Sequence, residues 1–263
     1  MGCVFLMEFQ RIVVKVGTST LAHSTGLLNI RHMEALVKVL ADIKNTGRDV
    51  VLVTSGAIGV GAGKMGYSTP PKSVSDRQAC AAVGQCELIN MYDSLFSHYG
   101  HMVAQILLTQ QVLNAKEDEL NAKNTFFSLL DKNIIPIVNA NDTMSISELE
   151  FGDNDTLSAA VAVLIDADIL IILTDLDGVF DSNPLKNPDA KLIKHIQKID
   201  KSLVESAKGE PNALGTGGML TKLNAAKIAS LESIPTLVAN GSHPDRIYSI
   251  FQGKPEGTLI SLK

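Results

Sequence analysis

The sequence contains no tryptophan and only three cysteines among its 263 residues. The cysteines, Cys3, Cys80 and Cys86, cannot all pair with one another, because their number is odd. None belongs to a Cys-x-x-Cys pair or to a Cys/His cluster with the spacing of zinc ligands. A framework of disulfides is therefore not expected. Such cysteine usage is typical of a reducing compartment, so we expect the protein in the cytoplasm.

Long apolar runs and an excess of basic residues are also lacking. No segment approaches the roughly 20 apolar residues that span a bilayer, and the apolar start lacks the length and basic residues of a signal peptide. The formal net charge is −5, whereas a nucleic-acid-binding protein needs a basic face that replaces counterions on phosphates. We therefore expect neither a membrane nor a nucleic acid among the partners.

The sequence does contain a regular alternation of strand-like and helix-like segments. Apolar and β-branched runs predict strands over residues 11–16, 50–53, 102–108, 134–138, 169–173, 236–239 and 258–261, the last one closing an edge of the sheet. Helical patterns cover residues 29–45, 76–97, 122–131, 156–165 and 218–231. This alternation is typical of an α/β protein in which helices cover both faces of a mainly parallel sheet. We expect a single domain over residues 8–263.

Two predicted strands end in polar residues and glycine. Lys15 interrupts an apolar strand; a buried ammonium group needs an anion, although a lysine on an edge strand reaches solvent instead. Ser55 and Gly56 follow the next strand, where they either offer a hydroxyl and backbone amides to a ligand or form an ordinary tight turn. Because ligands of open parallel sheets bind beyond the carboxyl ends of the strands, both positions are candidates for a binding site.

One glycine-rich segment imitates two nucleotide-binding motifs without meeting either. Residues 61–66, GAGKMG, satisfy G-x-G-x-x-G, but a dinucleotide fingerprint follows its strand directly and this segment comes several residues later. A P-loop would need a serine or threonine in place of Met65 and a glycine in place of Ile58. We reject both interpretations.

The densest polar cluster surrounds a long predicted loop. Asn139 and Asp142 follow the strand over 134–138, and Asp153, Asn154 and Asp155 open the next helix. Amides and carboxylates together can bind the α-ammonium and α-carboxylate groups of a free amino acid. Helix N-capping is the ordinary explanation for Asp and Asn at a helix start, but it does not account for Asn139 and Asp142. A hard metal cation with oxygen ligands is a further alternative.

The C-terminal half carries two more candidate loops. Thr174 and Asp175 follow a strand and either contact a nucleotide or form a turn, since the ligand spacing of a calcium loop is absent. Residues 215–222, GTGGMLTK, enter a helix with Lys222 in its first turn. The N–H groups and the dipole of a helix N-terminus attract anions, so a lysine placed there indicates an anionic ligand.

Six segments taken together resemble the amino-acid kinase family. They read, in chain order, VVKVGTS, VTSGAIGVG, LLDKNIIPIVNANDT, FGDNDTLSA, LTDLDGVFDSNP and GTGGMLTK, and they lie between residues 13 and 222. The resemblance implies a three-layer αβα sandwich around a mainly parallel sheet, with the nucleotide site toward the C-terminal half and the acceptor site toward the N-terminal half. GDND together with TSGA and GTGGMLTK is most similar to the members that phosphorylate glutamate.

The resemblance also implies the reaction and its partners. ATP, with Mg²⁺ bridging its phosphates, would phosphorylate the γ-carboxylate of L-glutamate to give γ-glutamyl phosphate and ADP, the first step of proline biosynthesis. A kinase of the same fold for acetylglutamate or aspartate is one alternative, and a catalytically silent amino-acid sensor is another. Further expectations are feedback inhibition by proline, contact with the reductase that consumes the acyl phosphate, and a homo-oligomer (dimer or tetramer). A C-terminal PUA domain, which many members carry, is not expected.

The resemblance alone assigns roles to the matching positions. Lys15 and Lys222 would contact the transferring phosphate, and Asp155 would orient them. The glutamate site would comprise Ser55, Gly56, Asn139, Asp142, Asp153 and Asn154. The ATP site would comprise Lys15, Thr174, Asp175, Thr216, Gly217, Gly218, Met219, Leu220, Thr221 and Lys222. No residue is assigned as a metal ligand. Ala140, where many members have an acidic residue, and Leu220, where many have a small hydroxyl residue, depart from the family pattern without removing a charge that the reaction needs.

Overall fold

Strand β1, Arg11–Val16, lies at the centre of one eight-stranded sheet in the computed structural model, which describes residues 9–23, 25–109, 112, 115–144, 154–184, 186–207 and 218–262. The other strands are β2 Asp49–Val53, β3 Val103–Leu108, β4 Ile135–Ala140, β5 Ile169–Thr174, β6 His195–Ile196, β7 Thr236–Asn240 and β8 Thr258–Ile260. Their order across the sheet is β3-β4-β2-β1-β5-β7-β8-β6. The first six strands in this order are parallel, so their carboxyl ends share one edge.

The last two strands of that order differ from the sequence-based expectation. β8 is antiparallel to β7, and β6 is parallel to β8, so both run against the other six. The prediction that residues 258–261 close the sheet was wrong, because the two-residue strand β6 lies outside β8 at that edge. Two residues are too few to show the alternation by which a strand is recognised in a sequence.

Helices connect the strands. They are α1 Thr18–Leu21, α2 Ile30–Asn45, α3 Ala57–Lys64, α4 Val74–Ser97, α5 Lys116–Leu130, α6 Asn154–Leu164, α7 Lys201–Ala207, α8 Met219–Ser230, a 3₁₀ helix Pro244–Ile247 and α9 Tyr248–Phe251. The predictions for α2, α4, α6 and α8 are confirmed to within two residues at each end. Helix α5 starts earlier than the predicted residue 122, because its first turn is acidic and has no apolar stripe, yet suits the helix dipole.

The side chains of β1 alternate between the two faces of the sheet. Ile12, Val14 and Val16 pack into one core with α2 and α4, whereas Val13 packs into a second core with α6 and α8. Strand residues two positions apart point to the same face, so Lys15 lies on the side of α6 and α8. Helices on both faces make three layers, which confirms the predicted αβα sandwich.

Helices α3 and α4 cross so closely that no side chain fits between them at two points. A Cβ atom on Gly61 would lie 1.8 Å from the carbonyl oxygen of Cys80, and one on Gly84 would lie 1.8 Å from that of Ala57. Both distances are far below van der Waals contact. The GAGKMG segment belongs to α3 and the turn after it, which agrees with the rejection of a dinucleotide site there.

Candidate active site

The parallel strands end level with one another and so bring the predicted loops together. Lys15 of β1 is in register with Val53 of β2 and with Ile172 of β5, and Val53 is in register with Val138 of β4. The residues that follow these strands therefore emerge at the same edge of the sheet. Candidate residues from the N-terminal and C-terminal halves of the sequence thus surround one region.

A single buried carboxylate joins the two candidate lysines. Nζ of Lys15 lies 2.6 Å from Oδ1 of Asp155, and Nζ of Lys222 lies 3.0 Å from Oδ2. The hydroxyl of Thr221 also donates to Oδ2, over 2.7 Å. The exposed fraction is 7% for Lys15, 6% for Lys222 and 0% for Asp155, so the cluster is almost closed to water.

Among the side chains that the structure describes, the cluster has two lysines and one carboxylate. Burial by itself raises the pKa of Asp155, but the charges of Lys15 and Lys222, with hydrogen bonds from Lys15 and Thr221, outweigh burial and hold that pKa below its ordinary value. Asp155 is therefore ionised at neutral pH, and one carboxylate faces two ammonium groups. Buried charge is costly unless it is matched, so this excess favours binding of an anion.

Two helix N-termini point at the same place. Asp155 lies in the first turn of α6, where the dipole favours a carboxylate, whereas Lys222 lies in the first turn of α8, where the dipole opposes an ammonium group. Asp155 offsets that opposition. Gly218, the N-cap of α8, has an extended backbone and, being a glycine, has no side chain that could cap the helix. The first-turn amides of α8 are thus suited to an anionic oxygen.

An amide cluster lies beside the lysines. Nδ2 of Asn154 is 2.8 Å from the carbonyl oxygen of Thr54, 2.9 Å from Oγ of Ser55 and 2.9 Å from Oδ1 of Asn139. These groups come from the ends of β2 and β4 and from the start of α6. Because Asn154 precedes Asp155 in the chain, the amide cluster and the lysine cluster are neighbours. The structure thus brings together Ser55, Asn139 and Asn154, as their shared assignment requires.

Gly56 allows the sharp turn between β2 and α3. Its φ angle is +93°, in the left-handed region that favours glycine. A Cβ atom there would also lie 3.3 Å from the side-chain methyl of Thr18. This turn presents Ser55, at the end of β2, to Asn154. Asp142 lies in the turn directly after β4, at the same edge of the sheet.

The ends of β5 and β7 form the other half of the region. The hydroxyl of Thr174 donates to the carboxylate of Asp175 over 3.0 Å, and the backbone N–H of Gly241 donates to the carbonyl of Thr174 over 2.7 Å. Gly218, Met219 and Leu220 are half-buried at the start of α8. Three further candidates, Asp153, Thr216 and Gly217, lie outside the residues that the structure describes.

Hydrogen bonds also tie the loop after β5 to the residues that follow β7. Asp177 accepts hydrogen bonds from Nδ2 of Asn240 at 3.1 Å and from the guanidinium of Arg246 at 2.7 Å. These two bonds lower the pKa of Asp177. The loop that carries Thr174 and Asp175 is thereby attached to the C-terminal strands.

Neither a protein metal site nor a membrane span is apparent in the described part of the chain. Within residues 9–144 and 154–262, the described His, Cys, Asp and Glu side chains form no group of three or more that could hold a metal ion. Among the helices that the structure describes, none has both the length and the apolarity needed to cross a bilayer.

Sequence reasoning missed two buried polar residues of α4. Oε1 of Gln85 accepts a hydrogen bond from Nδ2 of Asn139 over 2.8 Å, and the hydroxyl of Tyr92 lies 2.9 Å from that of Thr54. Gln85 and Tyr92 are seven positions apart and therefore share a helix face. The sequence offered one signal for them, a glutamine and a tyrosine on the same face of a helix rich in small residues. It does not show which residues that face packs against.

Known proteins resemble this chain over nearly its whole length. Residues 10–240 match the amino acid kinase family. The chain is 48% identical over 262 residues to a glutamate 5-kinase of Clostridium perfringens, covering 98% of this chain and 97% of the relative. It is 46% identical to a glutamate 5-kinase of Listeria monocytogenes (98% and 95% covered) and 46% identical to one of Moorella thermoacetica (97% and 68% covered).

Solved structures resemble the fold at lower identity. A UMP kinase from Bacillus anthracis superposes with a TM-score of 0.65 at 19% identity, covering 96% of both chains. An isopentenyl phosphate kinase from T. acidophilum superposes with a TM-score of 0.63 at 18% identity, covering 95% of this chain and 99% of that one. The architecture is therefore shared with kinases that have different acceptors.

Proposed function

Because the chain belongs to the amino acid kinase family, we propose that it transfers the γ-phosphoryl group of ATP to the γ-carboxylate of L-glutamate. The products are γ-glutamyl phosphate and ADP. The observation that carries the proposal is the buried Lys15–Asp155–Lys222 cluster beside the amide cluster of Ser55, Asn139 and Asn154. The relatives with 46–48% identity, named glutamate 5-kinase, support glutamate as the acceptor.

The chemistry requires charge stabilisation rather than a base. A glutamate side chain titrates near 4.3, so the attacking carboxylate is already ionised at neutral pH. The obstacle is repulsion between this carboxylate and the phosphates of ATP. Lys15 and Lys222 offset that repulsion at the transferring phosphoryl group, and Asp155 holds both ammonium groups in place. The γ-phosphorus–oxygen bond to the β-phosphate breaks as the new bond to the carboxylate oxygen forms.

Glutamate binds on the side of the amide cluster. Ser55, Gly56, Asn139, Asp142, Asp153 and Asn154 form this site. Carboxylates of the aspartates attract the α-ammonium group of glutamate, whereas amide and hydroxyl donors suit its carboxylate groups. Since Asn154 precedes Asp155, a glutamate held there lies next to the lysine cluster, and the reaction requires its side-chain carboxylate to be the group that faces the lysines. Positioning of this kind lowers the barrier by holding the two reactants together.

ATP binds on the side of β5, β7 and α8. Thr174, Asp175 and the segment Thr216–Lys222 contact it, with its terminal phosphates at the first turn of α8. Mg²⁺ would arrive with ATP and would supply positive charge that offsets the charge of the phosphates. Direct protein ligands to Mg²⁺ are not part of the proposal.

The wider setting follows from the same assignment. Residues 8–263 form one kinase domain, which acts in the cytoplasm in the first step of proline biosynthesis. Proline inhibits at a site that overlaps the residues proposed to bind glutamate. A reductase consumes the acyl phosphate. The chain assembles as a homo-oligomer, either a dimer or a tetramer.

The reaction is tested by trapping its product. Purified protein is incubated with MgATP and hydroxylamine, which converts an acyl phosphate into a hydroxamate, in parallel reactions with glutamate, acetylglutamate and aspartate. We expect hydroxamate from glutamate alone. Hydroxamate from another acid only would overturn the substrate, and no product from any acid while ATP still binds would favour the sensor alternative.

A further inference from the structure

The amide of Asn139 has neighbours that admit only one orientation. Its Nδ2 donates to Oε1 of Gln85 over 2.8 Å, and its Oδ1 accepts from the backbone N–H of Ala140 and from Nδ2 of Asn154, each over 2.9 Å. Turning this amide over would place its NH₂ group against two donors and its oxygen against the acceptor of Gln85. Asn139 is 1% exposed, so water cannot compensate for such mismatches.

The Ala140 backbone N–H, which can only donate, fixes this orientation, and Gln85 supplies the acceptor that the NH₂ group of Asn139 then needs. The two contacts at Oδ1 come from donors, and the partner of Nδ2 is the Gln85 carbonyl. Without Oε1, the NH₂ group of Asn139 would be left buried with no acceptor, and the Asn139 side chain would be held less firmly in its place. Hydrogen bonds thus link three amides in a row, from Gln85 on α4 through Asn139 on β4 to Asn154 on α6.

Asn154 is the end of this chain of hydrogen bonds. Its Nδ2 lies among three acceptors, the Thr54 carbonyl, the Ser55 hydroxyl and Oδ1 of Asn139, so its own oxygen is turned away from them. If Asn139 turned over, Nδ2 of Asn154 would meet another NH₂ group instead of an oxygen. The Thr54 carbonyl, which can only accept, already fixes which end of the Asn154 amide faces inward, so Asn139, and Gln85 behind it, act on how firmly that amide is held in place.

The backbone around Gln85 is held firmly. Its neighbour Gly84 contacts the first turn of α3. A Cβ atom added to Gly84 would lie 1.8 Å from the carbonyl oxygen of Ala57. Helix α3 in turn begins directly after Ser55 and Gly56. Any shift of Gln85 along α4 would therefore disturb this close crossing. A fixed backbone position suits a residue whose task is to hold another side chain in place.

We propose that Gln85 is a positioning residue for the acceptor site: by accepting from Asn139 it holds the Asn139 oxygen against Asn154, the residue proposed to contact glutamate. The inference rests on the proposed function, because it names glutamate as the ligand of Asn154. Gln85 acts on binding of the acceptor and leaves the lysine cluster undisturbed. Its loss should therefore raise the KM for glutamate while kcat and the KM for ATP change little.

The test is a double-mutant cycle. Gln85→Met keeps the length of the side chain and removes the amide acceptor; Asn139→Ala removes the group through which Gln85 acts; the third variant carries both changes. We expect Gln85→Met to raise the KM for glutamate about tenfold, as loss of one buried hydrogen bond does. Asn139→Ala should raise it at least as much, and the double variant should match Asn139→Ala alone. Effects on the KM that are less than additive indicate that Gln85 and Asn139 act through the same interaction.

Tyr92→Phe is the matched control. It removes another buried hydrogen bond from the same face of α4, to the hydroxyl of Thr54. The carbonyl of Thr54 that faces Asn154 is held independently, because the backbone N–H of Thr54 donates to Val138 over 2.8 Å. We expect Tyr92→Phe to lower thermal stability and to leave the KM for glutamate within about twofold of the wild-type value.

The outcomes separate this inference from the proposed function. Fully additive effects in the double variant, an unchanged KM in Gln85→Met, or an equal rise in Tyr92→Phe would each overturn the positioning role. If Gln85→Met does not fold, Gln85→Asn, which withdraws the amide by one methylene, replaces it in the cycle. Failure of the wild-type protein to phosphorylate glutamate would instead defeat the proposed function, and the cycle would then be run with whichever acid the wild type accepts.

Discussion

Lys15 and Lys222 bond to different oxygen atoms of the same carboxylate, at 2.6 and 3.0 Å from Oδ1 and Oδ2 of Asp155. The two lysines come from β1 and α8, which lie on opposite sides of α6 in the sequence. Neither ammonium group therefore keeps its position if the carboxylate is changed. The spacing of the two positive charges, which an incoming phosphoryl group must fit, is set by one side chain.

Replacing Asp155 by asparagine should affect catalysis and stability together. Without the carboxylate, two buried ammonium groups face each other, so we expect kcat to fall at least about 100-fold and the free energy of unfolding to fall by about 3 kcal/mol. Bound nucleotide phosphates should compensate in part, so MgADP should raise the melting temperature of Asp155→Asn more than that of the wild type. Equal shifts in the two proteins would contradict the account of the charge excess.

The pH dependence of stability follows from the lowered pKa of Asp155. A carboxylate whose folded-state pKa is below its ordinary value of 3.8 contributes its full stabilisation above that value and loses it as pH falls toward the folded-state pKa. The difference in unfolding free energy between the wild type and Asp155→Asn should therefore be constant from about pH 5 to 7 and shrink below about pH 4. Urea unfolding of both proteins across this range measures it; a difference that grows on acidification would refute the assignment.

Replacing Lys222 by alanine should act mainly on the chemical step. We expect kcat to fall by about 10²–10³ with little change in the KM for glutamate, since Lys222 serves the phosphoryl group rather than the acceptor. Lys222→Arg, which keeps the charge but alters its shape, is the control and should recover part of the rate. A near-normal kcat in Lys222→Ala would remove this residue from the mechanism.

The crossing of α3 and α4 predicts opposite outcomes for two glycines of one helix. Gly61→Ala should destabilise the protein by more than about 2 kcal/mol, because its Cβ would lie 1.8 Å from the carbonyl oxygen of Cys80. Gly59→Ala is the matched control: its Cβ would meet only a methyl group of Thr18, at 4.0 Å. There we expect a gain of about 0.5–1 kcal/mol from helix propensity. Thermal unfolding of both variants decides whether the crossing is as close as described.

Local patterns explain how much of the fold was predictable from the sequence. β5 is an almost continuous apolar run, β1 is an apolar run interrupted by Lys15, and α2 carries a clear apolar stripe, so local patterns identify all three. Helix α3 was missed because three of its eight residues are glycine, which suggests a loop rather than a helix. Its glycines are explained only by the surface of α4 that packs against them.

The candidate site was predictable where chemistry and local sequence coincide. Lys15 stands out because an ammonium group within an apolar strand needs a partner, yet only the family resemblance, and no local pattern in the sequence, pointed to Asp155 as that partner. Gln85 went unnoticed for a related reason: it lies 54 residues from Asn139, and only the packing of α4 against the end of β4 brings the two amides together. Hydrogen bonds between distant segments are a property of the assembled layers and leave no periodic trace in the sequence.

The wide separation of the cluster along the chain also has a consequence for biosynthesis. Lys15, Asp155 and Lys222 enter the growing polypeptide at very different times, and α8 supplies the last of them. A nascent chain that has not yet released α8 from the ribosome holds Lys15 and Asp155 without the second ammonium group. However complete its N-terminal strands are, it therefore lacks the residue whose loss we expect to lower kcat by about 10²–10³. Full activity requires contacts between segments far apart in the chain, which form slowly during folding.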